Sequence, residues 1–152
     1  MKRGIEIKMY VGEAVIQATK GINRYSERAQ KRIRSTIQHG TKAVYDTAMH
    51  RAPEGPTGNL RKGITFSTPN DWQTGEVKST APHSHLVEFG TAPRITYRQS
   101  GTKALKLKDG RYIRGDIYSG RMPKRPFMRP AIMMHRDEIE RDMKEAIVHD
   151  SD

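Results

Sequence analysis

Polar and apolar positions alternate from Ile5, with Ile5, Ile7 and Met9 on one side and Glu6, Lys8 and Tyr10 on the other, the period-two signature of a half-buried strand. The period then changes. Ile22, Tyr25, Ala29, Ile33, Ile37, Gly40, Val44 and Ala48 recur at steps of three or four, one stripe of a long amphipathic helix whose other faces carry Arg24, Arg28, Lys31, Arg32 and Arg34. Pro53 has no N–H to continue that helix and biases Ala52 away from helical angles, so the helix is expected to stop at about Arg51.

Ile64 and Phe66 next alternate with Thr65 and Ser67, the turn residues Thr68-Pro69-Asn70-Asp71 follow, and a polar strand runs through Glu76, Val77 and Lys78. This pattern predicts a hairpin. A third strand is expected in "SHLVEFGT", where the nearly continuous Leu86, Val87 and Phe89 imply burial on both faces or against another subunit, and Gly90 permits a sharp exit. In "RPFMRPAIMMHRDEIERDMKEAIVHD" the helical period returns: Pro130 suits a first turn, and Ile132, Ile139, Met143 and Ile147 form the apolar stripe of a C-terminal helix. Asp137 with Arg141 and Glu140 with Lys144 are i,i+4 pairs there, worth a few tenths of a kcal/mol each.

Between these patterns residues 91–130 keep no core-forming period. They hold 11 Lys and Arg against Asp109 and Asp116 alone, punctuated by Gly101, Gly110, Gly115 and Gly120. The expectation is a long, mobile, basic excursion, with a small hairpin turning at Asp109-Gly110, the residue pair favoured in type I′ turns. Residues 131–152, by contrast, carry 3 basic and 7 acidic residues, so the chain is electrically polarised.

Composition narrows the function classes. One domain spanning 1–152 is expected from the length, and 34% hydrophobic residues against 30% charged leave a thin core under much polar surface. The formal charge of +11 sets up a field that attracts nucleic acid or an acidic protein face. With no cysteine, disulfides and thiolate zinc sites are excluded. No apolar run approaches the roughly 20 residues that span a bilayer, so a soluble, cytosolic product without membrane partners is expected.

Catalytic motifs are missing: there is no G-x-S-x-G, Walker loop or H-E-x-x-H, and no catalytic, metal or cofactor site is assigned. His83 and His85 would share a face if "SHLVEFGT" were a strand, but Glu88 would then lie on the opposite face and no third ligand is recognisable. Basic residues interleaved with Tyr97, Tyr112 and Tyr118 offer phosphate contact with base stacking, or docking on an acidic protein.

Three ordered stretches, "APEGPTGNLRKGI", "HLVEFGT" and "RPFMRPAI", resemble those of the tail-completion proteins of tailed bacteriophages, also described as neck, head–tail joining or minor tail-component proteins. The residues carrying the resemblance include Pro53, Thr57, Gly58, Leu60 and Arg61; Val87, Glu88, Phe89 and Gly90; and Pro126, Phe127, Arg129 and Pro130. Glu54-Gly55-Pro56 stands where the family commonly has a shorter step. The resemblance implies an α+β fold, a mainly antiparallel sheet packed against a long N-terminal helix and a C-terminal helix. It further implies a structural virion protein that is not an enzyme, made in the host cytoplasm, and forming a ring, commonly a hexamer, at the head-proximal end of the tail. Its partners would be the tail tube protein and the head–tail connector, with genomic DNA in the channel as a possible contact.

In that setting Arg94, Arg98, Lys103, Lys106, Lys108, Arg111, Arg114, Arg121, Lys124 and Arg125 are the candidate partner- or DNA-contacting residues. Glu88 and Arg129 could pair across the strand end and the helix start, gathering Phe89 and Phe127 into one cluster, or equally could be two solvated charges. The alternative reading is a free DNA- or RNA-binding protein that uses the same basic segment.

Overall fold

The apolar stripe of the first helical pattern is buried along nearly its whole length. In the computed structural model, which describes residues 7–11, 26–68, 74–96, 105–106, 110–113 and 117–148, helix α1 runs Glu27–Arg51 and buries Ala29, Ile33, Ile37, Gly40, Thr41, Val44 and Ala48. Ile22 and Tyr25, expected at its start, lie outside the described residues. The Ser26 hydroxyl caps the helix by accepting from the Ala29 N–H at 3.2 Å, and Glu27 stands in the first turn, where the helix dipole favours negative charge. Arg28, Lys31, Arg32 and Arg34 are exposed, as an amphipathic helix requires.

One face of α1 meets an antiparallel sheet of strands β1 (Ile7–Val11), β2 (Ile64–Ser67) and β3 (Gly75–Ser79), in the order β1-β3-β2. β3 is central: in backbone register Val77 pairs with Met9 on one side and Phe66 on the other, and Ser79 with Ile7 and Ile64. Gly75, Val77 and Ser79 are buried while Glu76 and Lys78 are half-buried, the alternation expected of a strand with one face on a core. The Tyr45 ring packs against Phe66, centroids 4.8 Å apart, tying α1 to the hairpin.

The C-terminal helix, α4 (Met128–Val148), packs along α1 and also reaches β1. The arrangement is α+β, with α1 packed on the sheet and α4 packed along α1 and against β1. Met128, Ala131, Ile139, Met143 and Ala146 are buried, with Ile132 and Ile147 half-buried beside them. Across the helix pair the Thr47 hydroxyl and His135 Nε2 lie 2.7 Å apart. The charge pairs that form on α4 differ from those the spacing predicts: Arg136 takes Glu140 at 3.0 Å, and Arg141 lies against Asp142. Glu140 keeps the Arg136 guanidinium above its ordinary pKa by hydrogen bond and charge.

Close approach of α1 and α4 depends on Gly40. A Cβ there would stand 2.7 Å from Cγ1 and 2.9 Å from Cδ1 of Ile139. Gly40→Leu is expected to destabilise by about 2 kcal/mol, overpacking outweighing the gain in helix propensity. A lowered urea midpoint with unchanged m-value is the check.

One expectation is corrected. Ser84–Phe89 is a short helix, α3, not a strand. Its buried residues Ser84, Val87 and Glu88 recur at the helical step, whereas Phe89 is 69% exposed. Six residues are too few for apolar content to distinguish the two periods. The basic segment, in turn, contains two nested antiparallel ladders: β4 (Arg94–Thr96) pairs with β7 (Ile117–Gly120), and within them β5 (Leu105–Lys106) pairs with β6 (Tyr112–Ile113). The β5–β6 pair is the hairpin expected around Gly110, where φ is +86° as a reversal allows, and the β4–β7 ladder encloses it in sequence; the two ladders are called the β arm below.

Candidate functional site

The turn after α1 is built by its own residues. Gly58, at φ +63°, takes the left-handed conformation that opens the short helix α2 (Asn59–Lys62), and its N–H donates to the Gly55 carbonyl at 3.1 Å. The Thr57 hydroxyl accepts from the Asn59 N–H at 3.4 Å. Leu60 returns to the core at 4% exposure. Arg61 reaches back: its Nε donates to the Ala52 carbonyl at 3.0 Å, and its Nη1 lies 3.6 Å from Glu54. A cation therefore sits on the C-terminal end of α1, where the helix dipole favours it. Pro53 and Arg61 together terminate one helix and aim the chain at the sheet.

The other two motifs converge on Glu88. Its carboxylate is buried at 4% exposure and accepts three backbone N–H bonds, from Phe127 at 2.8 Å and from Met128 and Arg129 at 3.0 Å each. These are groups that a helix leaves without intrahelical partners at its start. The next residue, Pro130, has no N–H to satisfy. One carboxylate and one proline thus complete the N-terminus of α4, and the negative charge lies at the positive end of the helix dipole.

The expected ion pair is thereby corrected: Glu88 binds the Arg129 backbone N–H, and the Arg129 side chain is exposed. Desolvated as it is, the carboxylate is better served by three convergent N–H groups than by one flexible guanidinium. The expected aromatic cluster is corrected as well. Phe127 is fully buried in the core, but Phe89, one residue beyond Glu88 on α3, projects outward.

Gly90 closes this buttress. Its φ of +73° suits glycine, and a Cβ there would approach the Lys124 N and Met122 O to 2.9 Å each. The passing chain is laced to it: Arg125 N–H donates to the Val87 carbonyl at 2.8 Å, Thr91 N–H to the Met122 carbonyl at 3.0 Å, and Met122 N–H to the Thr91 hydroxyl at 2.9 Å. Pro126 leads directly into the Phe127 anchor.

On the outside of this lacing stand Arg121, Lys124 and Arg125, all exposed, beside Phe89 and Met122. Arg111 is exposed on the β arm, and Arg94 and Lys106 lie in its strands. Arg98, Lys103, Lys108 and Arg114 lie outside the described residues, as do Tyr97 and Asp109. The structure thus gathers three of the ten candidate cations at one edge. Met122, and the exposed Met133 and Met134 on α4, were not singled out by the sequence; the two α4 methionines stand beside the apolar stripe, which was the available signal.

His83 and His85 lose the geometry that made them a candidate pair. His83 precedes α3 and is exposed, His85 lies within it, and residues two apart on a helix point about 200° from one another. No group of three or more His, Asp or Glu suited to a metal ion occurs among the described residues, and no helix among them is long and apolar enough to cross a membrane.

No curated protein and no solved structure significantly matches the chain. A family model does: residues 17–90 match the family described as "Bacteriophage HK97-gp10, putative tail-component". The matched segment takes in α1, the Pro53–Arg61 turn, β2, β3 and α3 with its Glu88, ending at Gly90 just before the β arm. Over that segment the chain is similar to a family of bacteriophage tail components.

Proposed function

We propose that this chain is a phage tail component and a structural protein, without catalytic turnover, that forms a ring, hexameric in number, at the head-proximal end of the tail and joins the tail tube to the connector below the portal. It would assemble in the host cytoplasm and remain in the virion neck. The observation that carries the reading is the use made of Glu88, the only acidic residue buried among the described ones. Its carboxylate is taken up by the three backbone N–H groups at the start of α4, so these motifs build a support with an apolar and cationic edge outside. Such an edge fits a protein neighbour, and the β arm beside it, with Arg94, Lys106 and Arg111, supplies further positive charge toward the tube, the connector or DNA in the channel.

A salt titration on the purified chain and on its mixture with tail tube protein tests this. The assembly is expected to persist from about 50 to 200 mM salt, because its contacts are largely apolar. Free nucleic-acid binding through several phosphate contacts would instead fall by about 10³-fold or more over the same range. Tight, steeply salt-dependent DNA binding with no association to tail protein would replace the ring reading with the DNA-binding one.

A further inference from the structure

Phe89, 69% exposed, stands at a shallow hollow of about 320 Å³ formed with Gly90, Thr91, Arg121, Met122, Pro123 and Lys124. An aromatic ring left in water on a buttress this firmly laced is a preformed knob, with little ordering to lose on contact. Every charged side chain in the hollow is cationic, and Glu88, the nearest acid in sequence, is turned inward.

The complement of this edge lies elsewhere on the same chain. Met133 and Met134 are 64% and 63% exposed on the outer face of α4. Asp137 and Glu138 stand three and four residues beyond Met134, hence on the same side of the helix. Of the basic groups beside them, Arg136 is engaged with Glu140 at 3.0 Å, and His135 Nδ1 lies 3.8 Å from Glu138, whose carboxylate stays 61% exposed. Exposed methionine is a soft, adaptable receptor for an aromatic ring, and the two acids meet the sign of Arg121 and Lys124.

Resting on the ring reading, we infer that the Phe89 edge of one copy docks on the Met133–Met134 face of the next, with Arg121 and Lys124 against Asp137 and Glu138. The two surfaces differ, so the contact is head-to-tail, the kind that closes into a ring when the rotation allows and extends when it does not. The occupant of each surface is therefore a second copy of this chain.

The chain has no cysteine, which permits a direct test in the full-length protein. On tail tubes, where the ring reading places the assembly even if the free chain is monomeric, Phe89→Cys and Met134→Cys variants are mixed and oxidised, in parallel with the double variant and with each single variant alone. A disulfide forms only where Cα atoms come within about 7 Å. The expected result is a cross-linked dimer from the mixture, a ladder beyond dimer from the double variant, and neither from the single variants.

A charge reversal reads the same contact without cysteine. Lys124→Glu is expected to weaken self-association about tenfold, and mixing with Asp137→Lys to restore it. Cross-linking of Phe89→Cys to itself, to another tail protein or to nothing overturns the inference. If that happens while the wild-type chain still forms rings, the ring reading stands and only these surfaces are wrong; a wild-type chain that stays monomeric even on assembled tails overturns both.

Discussion

Glu88→Ala is expected to destabilise the chain by about 3–5 kcal/mol, an outsized loss for one carboxylate among domains whose whole stability is about 5–15 kcal/mol. Alanine leaves the N–H groups of Phe127, Met128 and Arg129 without an acceptor at a buried position, and each such orphan costs about 1–3 kcal/mol if water cannot reach it. Removal of the charge from the α4 N-terminus adds to that loss. Glu88→Gln keeps one acceptor oxygen and the shape, so it should fall between alanine and wild type. Urea denaturation orders the three proteins, and hydrogen exchange at the start of α4 shows where protection is lost. A Glu88→Ala protein as stable as wild type would mean that the carboxylate does not hold the helix.

The second large effect is expected from Phe127→Ala, at about 3–5 kcal/mol. Phe127 is fully buried, flanked in the core by Met128 and Ala131, and no small residue can refill the space it leaves. The two substitutions act on one device, because the Glu88 carboxylate binds the backbone of the residue whose ring anchors the core. Their effects should therefore be less than additive in the double variant, by 0.5 kcal/mol or more. Strict additivity, measured by the same urea curves, would separate the cap from the anchor. Phe89→Ser, one residue from Glu88 but on the outside, should change stability by no more than about 0.5 kcal/mol.

What the sequence makes legible follows from how far each signal extends. The α1 stripe persists over about five turns, so the periodicity locates Ala29, Ile33, Ile37, Gly40, Val44 and Ala48 on the buried face without help from any partner. Thr41 escapes that reading because it is polar, yet it is fully buried with its hydroxyl donating to the Ile37 carbonyl, inside the helix itself. The β2–β3 hairpin is likewise announced by alternation and turn residues, and its register follows.

The candidate site is legible in its letters but not in its geometry. Val87, Glu88, Gly90, Phe127 and Pro130 are recognisable as a set, but the partners of Glu88 are backbone N–H groups 39 to 41 residues away, and backbone groups have no letter of their own. A side chain facing a distant helix start invites a guess at the nearest opposite charge, here Arg129, and the helix dipole was the competitor that won. Phe89 illustrates the reverse failure. Its apolar character reads as core, and only the turn of α3 places it outside. The β arm defeats periodicity because its described strands are two to four residues long.

The central claim is that the motifs make a support to be gripped by other copies and other tail parts. The number of copies bound at the end of assembled tail tubes, measured by mass with and without the tubes, tests it most directly. The account predicts several copies in a closed ring at one end of each tube, even if the free chain is monomeric. A single copy per tube end, or no association with tubes at all, would contradict it.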